Sequence, residues 1–273
     1  MNQKLTGKQY TLLASMLFGM FFGAGNLIFP IILGAKAGAS LVPALLGMLI
    51  TAVGMPLLGI VALGVSRSSG LMQMSGRVAK WYSYFFTCAL YLTIGPFFAI
   101  PRCAATSFTM GIAPLVSGSH TVPQAIFTTL FFAAVLFFAL RPNNIMNSIG
   151  KYLNPIFLIC LGILVVAALL DPIQSVGSVA ASGAYADNAF STGFLQGYDT
   201  LDALASLAFG IIVVNVIKEM GVEEPGAIAK NTIKSGIFSM VLMTVIYALI
   251  AIVGAQSYGL YADQLGEPSF NGG

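Results

Sequence analysis

The sequence predicts an all-α, polytopic membrane protein, and two observations carry that prediction. Hydrophobic residues make up 58% of the chain and charged residues only 8%, whereas soluble domains carry about 25% charged residues. A soluble fold could not cover its surface with so few charges. In addition, most of the 273 residues lie in apolar runs, and these reach the length of about 20 residues that is needed to cross a bilayer.

Short polar or glycine-rich segments separate the apolar runs and divide the chain into seven predicted membrane-spanning helices. We expect these helices at Tyr10–Leu33, Leu41–Val65, Trp81–Met110, Val122–Leu140, Ile149–Leu170, Phe190–Ile217 and Ile233–Tyr258. The chain is therefore expected to cross the membrane an odd number of times, with its two ends on opposite sides.

The spans carry little that would support bond chemistry. Cys88, Cys103 and Cys160 fall within spans and lack the short spacing of a metal or redox motif. His120 is the only histidine, and no nucleophile–base pair is evident in the spans. We therefore expect that the protein is not an enzyme.

The basic residues collect at one end of the predicted spans, and this asymmetry orients the chain. Ten of the twelve lysines and arginines fall on one side. Lys36 falls in an opposite loop, and Arg102 lies within the third span. Because positive residues mark the cytoplasmic side, we expect a cytoplasmic N-terminus. The ten residues are Lys4, Lys8, Arg67, Arg77, Lys80, Arg141, Lys151, Lys218, Lys230 and Lys234.

The end of the chain predicts a continuation. Asp263–Gly273 carries no positive charge and no helix-closing signal. Seven spans place this stretch outside the membrane, where it would be a loop leading to a further helix. We therefore expect the chain to be a fragment of a longer protein.

The first predicted span contains an interruption at Gly23–Asn26, near its middle. Two glycines within three residues lower helix propensity by about 1 kcal/mol each relative to alanine. An unwound segment exposes carbonyl groups to a small cation, and the N-terminus of the next half-helix suits a carboxylate. Pro30 would fit the first turn of such a half-helix. The alternative is a continuous helix in which Gly19 and Gly23 form a small-xxx-small packing motif.

The sixth predicted span begins with a second polar segment, Gly197–Asp202. Asp199 and Asp202 are three residues apart, so in a helix they would share a face. An ionised carboxylate at the bilayer centre costs about 3 kcal/mol, so two of them require a cation, a shared proton or a partner. The alternative is an interfacial cap, because Leu201–Ile217 is nearly long enough to span alone. The residues themselves leave both interpretations open.

Arg102 lies toward the outer half of the third predicted span and directly follows Pro101. Its side chain is expected either to snorkel to the membrane interface or to pair with Asp199 or Asp202.

Three segments together resemble a known family: Phe18–Pro30, Gly95–Arg102 and Gly197–Gly210. They read FGMFFGAGNLIFP, GPFFAIPR and GYDTLDALASLAFG. These motifs look like those of the bacterial branched-chain amino acid carriers of the BrnQ type, which are cation symporters for leucine, isoleucine and valine. The similarity runs along essentially the whole chain.

The resemblance implies a LeuT-type fold of the APC superfamily, with two inverted repeats of five helices, each with a broken first helix. Residues 1–170 would form the complete first repeat, and residues 190–258 the first two helices of a truncated second repeat, in a single transmembrane domain. Spans one and six would be the broken helices. The family carries more helices than this chain, including an eighth that supplies hydroxyl groups to one sodium site.

The resemblance also implies a site at the two breaks. The substrate-binding residues would be Gly23, Ala24, Gly25, Asn26 and Leu27 from one broken helix and Tyr198, Asp199 and Thr200 from the other. The coupling ion, Na+ or H+, would be held by Ala24, Asn26, Thr200 and Asp202. No other metal or cofactor is expected.

The implied function is import of branched-chain amino acids by symport with Na+ or H+ across the bacterial cytoplasmic membrane. The expected partners are these amino acids and the lipid bilayer, with no nucleic acid and no obligate protein partner. Two alternatives remain. One is a LeuT-type transporter of another amino acid, and the other is a non-transporting membrane receptor that senses amino acids.

Overall fold

A computed structural model describes residues 5–66, 68, 70–140 and 154–258, and its regular secondary structure there is helical. The α-helices are α1 Gly7–Phe21, α2 Ala24–Ala37, α3 Leu41–Leu49, α4 Met55–Ser66, α5 Leu71–Ser75, α6 Lys80–Leu92, α7 Ala99–Gly111, α8 Thr121–Ala139, α9 Asn154–Leu170, α10 Ala184–Tyr198, α11 Asp202–Glu219 and α12 Pro225–Gln256. The all-α class predicted from composition is thus confirmed for this part of the chain.

Two π-helical segments join neighbouring helices. Ile50–Gly54 connects α3 to α4 with helical backbone at both ends, so the two helices form one rod. Thr93–Phe97 connects α6 to α7 through Gly95, whose φ of −84° and ψ of −118° are not helical. Pro96 follows and has no N–H to donate. The third predicted span is therefore kinked next to Arg102.

Five helical stretches in the described residues are long and apolar enough to cross a membrane. They are Ala24–Ser66, Lys80–Leu115, Thr121–Ala139, Ala184–Glu219 and Gly226–Gln256. Asn154–Leu170 is a shorter apolar helix. The protein is therefore polytopic, and the predicted number of seven spans stays a prediction. Part of the difference between five and seven arises because the stretch Ala24–Ser66 contains both α2 and α3–α4. The chain reverses direction between them at Gly38, where φ is 48°.

Helices α1 and α2 run parallel to α12 along its length. The Tyr10 hydroxyl donates to the Asn231 side chain near the start of both helices. Further along, the Ser239 hydroxyl donates to the Ala14 carbonyl at 2.7 Å. Near the far end, Gly34 packs so closely on α12 that a Cβ there would overlap the Ala251 carbonyl oxygen. Small residues allow this backbone approach between membrane helices.

Helices α10 and α11 run parallel to α3 and α4 in the same way. Gly193 lies against the backbone of Ala44, and the Thr51 hydroxyl donates to the Phe194 carbonyl at 2.8 Å. Farther along, Gly210 packs against Leu63. Each interrupted pair of helices is thus supported by a long parallel neighbour.

These two assemblies point in opposite directions. A Cβ at Gly64, near the end of α4, would lie 3.6 Å from the Cα of Ala229, near the start of α12. Gly236, farther along α12, faces Leu57, which lies earlier on α4. Helix α4 is therefore antiparallel to α12, so α10–α11 is antiparallel to α1–α2.

The two ends of the bundle differ in charge. At one end, residues 171–183 pack on the turn after α2: the Ser182 N–H donates to the Lys36 carbonyl at 2.9 Å and the Ala39 N–H to the Val179 carbonyl at 2.8 Å. The opposite end holds the other described basic residues outside Arg102, namely Lys8, Arg77, Lys80, Lys218, Lys230 and Lys234. Lys4, Arg67, Arg141 and Lys151 lie outside the described residues, as does Asp263–Gly273.

Candidate functional site

The first interruption lies between α1 and α2. Helix α1 ends at Phe21, and the next two residues are extended, with Phe22 at φ −75°, ψ 100° and Gly23 at φ −117°, ψ −171°. Ala24 already begins α2, so the break falls slightly earlier than the predicted Gly23–Asn26. The helix restarts because the Asn26 side-chain oxygen accepts the Gly23 N–H at 3.0 Å and satisfies it.

Pro30 lies in the interior of α2, so the prediction of a first-turn proline is wrong. In an α-helix the N–H of residue 30 would donate to the Asn26 carbonyl. Proline has no N–H, so this hydrogen bond is missing. The start of α2 therefore combines an amide side chain with a backbone carbonyl that lacks its usual helical donor.

The second interruption lies between α10 and α11. Helix α10 ends at Tyr198, and α11 begins at Asp202. Leu201 between them adopts the left-handed region, with φ 64° and ψ 9°. It is the one non-glycine residue with positive φ in the described part of the chain. Such a conformation costs a branched side chain roughly 1–2 kcal/mol, and strained residues of this kind concentrate at functional sites.

Asp202 joins the two interruptions. Its side chain is 3% exposed, and its Oδ2 accepts the Asn26 Nδ2–H at 2.5 Å and the Tyr247 hydroxyl at 3.1 Å. The Asn26 amide also donates to the Tyr247 hydroxyl oxygen. Asn26 is 2% exposed and Tyr247 is fully buried. The start of α2, the start of α11 and the C-terminal half of α12 therefore meet at one buried polar cluster.

The hydrogen-bond partners of this carboxylate are neutral, while Arg102 attracts it electrostatically. Amide and phenol hydrogen bonds come from Asn26 and Tyr247, and the Asp202 N–H donates to the Thr200 hydroxyl at 3.4 Å. In the described residues, no lysine or arginine side chain is hydrogen-bonded to the Asp202 carboxylate. A buried carboxylate needs charge compensation, so the cluster is chemically suited to take a proton or a small cation.

Asp199 does not share a face with Asp202, so that prediction is wrong. Asp199 follows the last residue of α10 and is exposed, whereas Asp202 starts a new helix and is buried. The left-handed Leu201 lies between them and changes the chain direction. The interruption that was predicted from these residues is itself what separates them.

Arg102 lies in the first turns of α7 and reaches the second interruption. Its Nη1 donates to the Asp199 carbonyl at 2.6 Å, and its guanidinium carbon lies 5.4 Å from the Phe29 ring centre and 5.3 Å from that of Phe98. Cations are attracted to aromatic faces at this range. The predicted pairing with Asp199 thus takes the form of a hydrogen bond to its backbone carbonyl, and the Asp199 and Asp202 carboxylates attract the guanidinium electrostatically. Extension of the side chain to the membrane interface stays a prediction.

A cavity of about 940 Å³ lies between α2, α7, α9 and α12. Apolar side chains make up most of its lining, among them Leu27, Ile31, Phe97, Leu161 and Val253. Arg102 and Ala24 are at the end of the cavity that is formed by the start of α2.

Comparison with known families decides the identity of the chain. The family model described as "Branched-chain amino acid transport protein" matches residues 6–267. The chain belongs to this family.

Curated members of the family are similar along nearly the whole chain. The branched-chain amino acid permease BrnQ of Lactobacillus delbrueckii subsp. lactis is 52% identical over 259 residues, which cover 94% of this chain and 58% of that permease. In Bacillus subtilis (strain 168), BrnQ is 42% identical over 94% of this chain, and the permease BraB is 40% identical over 94%. The chain thus spans about 58% of the length of these relatives. No solved structure matches it.

The predicted site residues of this family member fall into three groups. Asn26, Thr200 and Asp202 come together in the buried cluster, while Ala24 and Leu27 line the cavity. The remaining predicted residues, Gly23, Gly25, Tyr198 and Asp199, lie at the two interruptions and do not line this cavity.

Tyr247 was missed by sequence reasoning. A signal exists, since Tyr247 is the only hydroxyl-bearing residue between Thr244 and Ser257. Its partners are 45 and 221 residues away in the chain, so local patterns give no indication that it reaches the two breaks.

Proposed function

We propose that the protein is a secondary active symporter that imports leucine, isoleucine and valine together with Na+ or H+. The observation that carries this proposal is the meeting of both helix interruptions at the buried Asp202. An interrupted helix in each half of a membrane protein points to a transporter's binding site. Family membership and relatives named as branched-chain amino acid permeases support the choice of substrate.

For the architecture, we propose the LeuT-type arrangement of inverted repeats. Residues 1–170 would form one repeat, and residues 190–258 the first two helices of the second. Two observations support this proposal. Helices α1–α2 run antiparallel to α10–α11, and each interrupted helix packs on helices of the other proposed repeat. The first interrupted helix packs on α12, and the second packs on α3–α4. Two inverted repeats related by a two-fold axis would produce this pattern.

The coupling ion is proposed to bind at Asp202, with Asn26, Thr200 and Ala24 nearby. A proton on the carboxylate would neutralise it, and Na+ would do so while also using the Asn26 carbonyl, which lacks its helical donor. Either cation removes the cost of a charge inside the bilayer. The cation compensates the Asp202 charge only while it is bound. Ion binding can therefore change how the two broken helices pack.

The substrate is proposed to bind at the same interruptions. Backbone groups of Gly23–Leu27 would meet its α-carboxylate, and Tyr198–Thr200 would face them. The aliphatic side chain would enter the apolar cavity beside Leu27. One methylene in such a pocket is worth only about 1–3 kcal/mol, so leucine, isoleucine and valine should compete.

The orientation is also a proposal. The end of the bundle that holds Lys8, Arg77 and Lys218 would face the cytoplasm, because basic residues mark that side. The membrane would be the bacterial cytoplasmic membrane.

Reconstitution of the chain in lipid vesicles tests the proposed function. We expect labelled leucine to bind, to be displaced by excess isoleucine and valine, and to accumulate when a Na+ or H+ gradient is imposed. Binding without accumulation under either gradient would identify an amino-acid receptor and contradict symport. Displacement by an unrelated amino acid but not by isoleucine or valine would identify another cargo.

A further inference from the structure

Arg102 is placed differently from every other described basic residue. The others lie at the two ends of the bundle, whereas Arg102 is half-buried between α2 and the interruption after α10. Of the described residues that line the cavity, it alone carries a charge. A cavity with apolar walls and one fixed cation is chemically matched to a ligand with an anionic end and an aliphatic body.

The guanidinium is held in a defined position. Its Nη1 donates to the Asp199 carbonyl, and the ring centres of Phe29 and Phe98 lie 5.4 and 5.3 Å from its central carbon. A guanidinium has five N–H donors, and this carbonyl is the one acceptor that the described residues provide. The group is thus oriented in advance while most of its donors remain available.

Arg102 also reaches the first interruption. A Cβ added to Gly25 would lie 3.1 Å from the Arg102 Nη2, so the guanidinium is next to the first turn of α2. The glycine leaves that space without a side chain. Arginine binds carboxylates with two parallel N–H···O bonds, and the backbone at this turn is where the proposed function puts the substrate carboxylate.

We propose that Arg102 binds the α-carboxylate of the transported amino acid, with the aliphatic side chain of that amino acid in the cavity between α2, α7, α9 and α12. This proposal rests on the proposed function and adds to it a side chain that recognises the carboxylate. The volume of about 940 Å³ lies within the range of roughly 300–1,000 Å³ that is common for small-molecule sites.

A structural role is the competing explanation, because Arg102 also links α7 to the interruption after α10. Arg102→Gln separates the two roles. Glutamine is two bonds shorter than arginine, keeps a planar group with N–H donors and removes the charge. A purely structural loss weakens leucine and leucinol equally, whereas loss of the charge weakens leucine binding selectively. Arg102→Ala removes both the charge and the link.

The test measures equilibrium binding of leucine and of leucinol, which has a hydroxymethyl group in place of the carboxylate, to the full chain in nanodiscs. We expect the unmodified chain to prefer leucine by tenfold or more. Arg102→Gln should weaken leucine binding by about tenfold or more and leave leucinol binding within about threefold, so that the preference is largely lost. Arg102→Ala should also lose the preference.

Arg77→Ala is the matched control, because Arg77 also donates to a backbone carbonyl, that of Ser66, far from the cavity. It should keep the full preference for leucine. The proposal is overturned if Arg102→Gln retains the preference of the unmodified chain, including the case in which leucine and leucinol weaken equally. Should the unmodified chain bind no leucine, the proposed function itself fails, and the two failures are therefore distinguishable.

Discussion

Asp202 concentrates the chemistry of the protein in one side chain. It starts helix α11, where the free N–H groups of the first turn favour a negative charge. At the same time it is 3% exposed and hydrogen-bonded to two other helices. The position therefore reconciles both sequence interpretations in part: Asp202 is a first-turn acidic residue, and it is also buried in the bundle.

Leu201 provides a prediction at the residue scale. Its φ of 64° suits glycine and is unfavourable for any residue that has a Cβ. Leu201→Gly should therefore be more stable than Leu201→Ala by about 1 kcal/mol. Both variants lose the leucine side chain, so the difference between them isolates the backbone conformation. Unfolding of the purified variants in mixed SDS micelles measures that difference.

Equal stability of the two Leu201 variants would contradict a left-handed residue at this position. Leu201 separates α10 from α11. Equal stability would therefore also leave the different surroundings of Asp199 and Asp202 unexplained.

The interruptions show how much of the site was predictable from sequence. Gly23, Asn26 and Asp202 interrupt apolar runs, and a local change in polarity is visible without any tertiary information. The exact residues at which the helices end and restart could not be predicted from the sequence. The first break falls at Phe22–Gly23 because the Asn26 side chain accepts the Gly23 N–H and restarts the helix. Such a bond depends on a rotamer, which composition does not encode.

Contacts between distant elements were not predictable. Arg102 and Asp199 are 97 residues apart, and Tyr247 is 221 residues from Asn26. The kink at Gly95–Pro96 directs the start of α7 toward the break. The sequence indicates that these residues are unusual, but only the packing of helices determines which of them meet.

Close packing between α2 and α12 gives a prediction at the element scale. A Cβ at Gly34 would overlap the Ala251 carbonyl, which belongs to the backbone and cannot rotate away. Gly34→Ala should therefore push the helices apart and cost about 1–3 kcal/mol of unfolding free energy. The same SDS unfolding measurement applies.

Gly162→Ala is the control for this substitution. Gly162 lies within α9 and a Cβ there has no neighbour within 4 Å. Alanine should gain about 0.5–1 kcal/mol because it favours a helix interior. A Gly34→Ala variant as stable as Gly162→Ala would rule out the close approach of α2 to α12.

At the scale of the whole molecule, two opposed assemblies share one polar centre. Each contains an interrupted helix and a long parallel partner, and Asp202 and Asn26 link them across the interruptions. Helix α8, by contrast, buries none of its residues in the described part of the chain. Its apolar surface suits contact with lipid, as expected for a peripheral helix of a membrane bundle. The polar residues are therefore concentrated where the assemblies meet.

In the proposed mechanism, cation binding at Asp202 drives substrate movement through the two interruptions. Asparagine at this position keeps the size of the side chain and one acceptor oxygen, but it replaces the other oxygen with an NH2 group and so removes the charge and the titratable proton. A variant of this kind separates binding from coupling, since the backbone groups that are proposed to hold the amino acid are unchanged.

The most direct measurement is leucine accumulation in vesicles that contain the full chain, with Na+ and H+ gradients imposed separately. The unmodified protein should accumulate leucine under at least one of these gradients. Asp202→Asn should still bind leucine but should lose most of the accumulation under the gradient that drives the unmodified protein. Accumulation by Asp202→Asn at the level of the unmodified protein would contradict the assignment of Asp202 as the coupling residue.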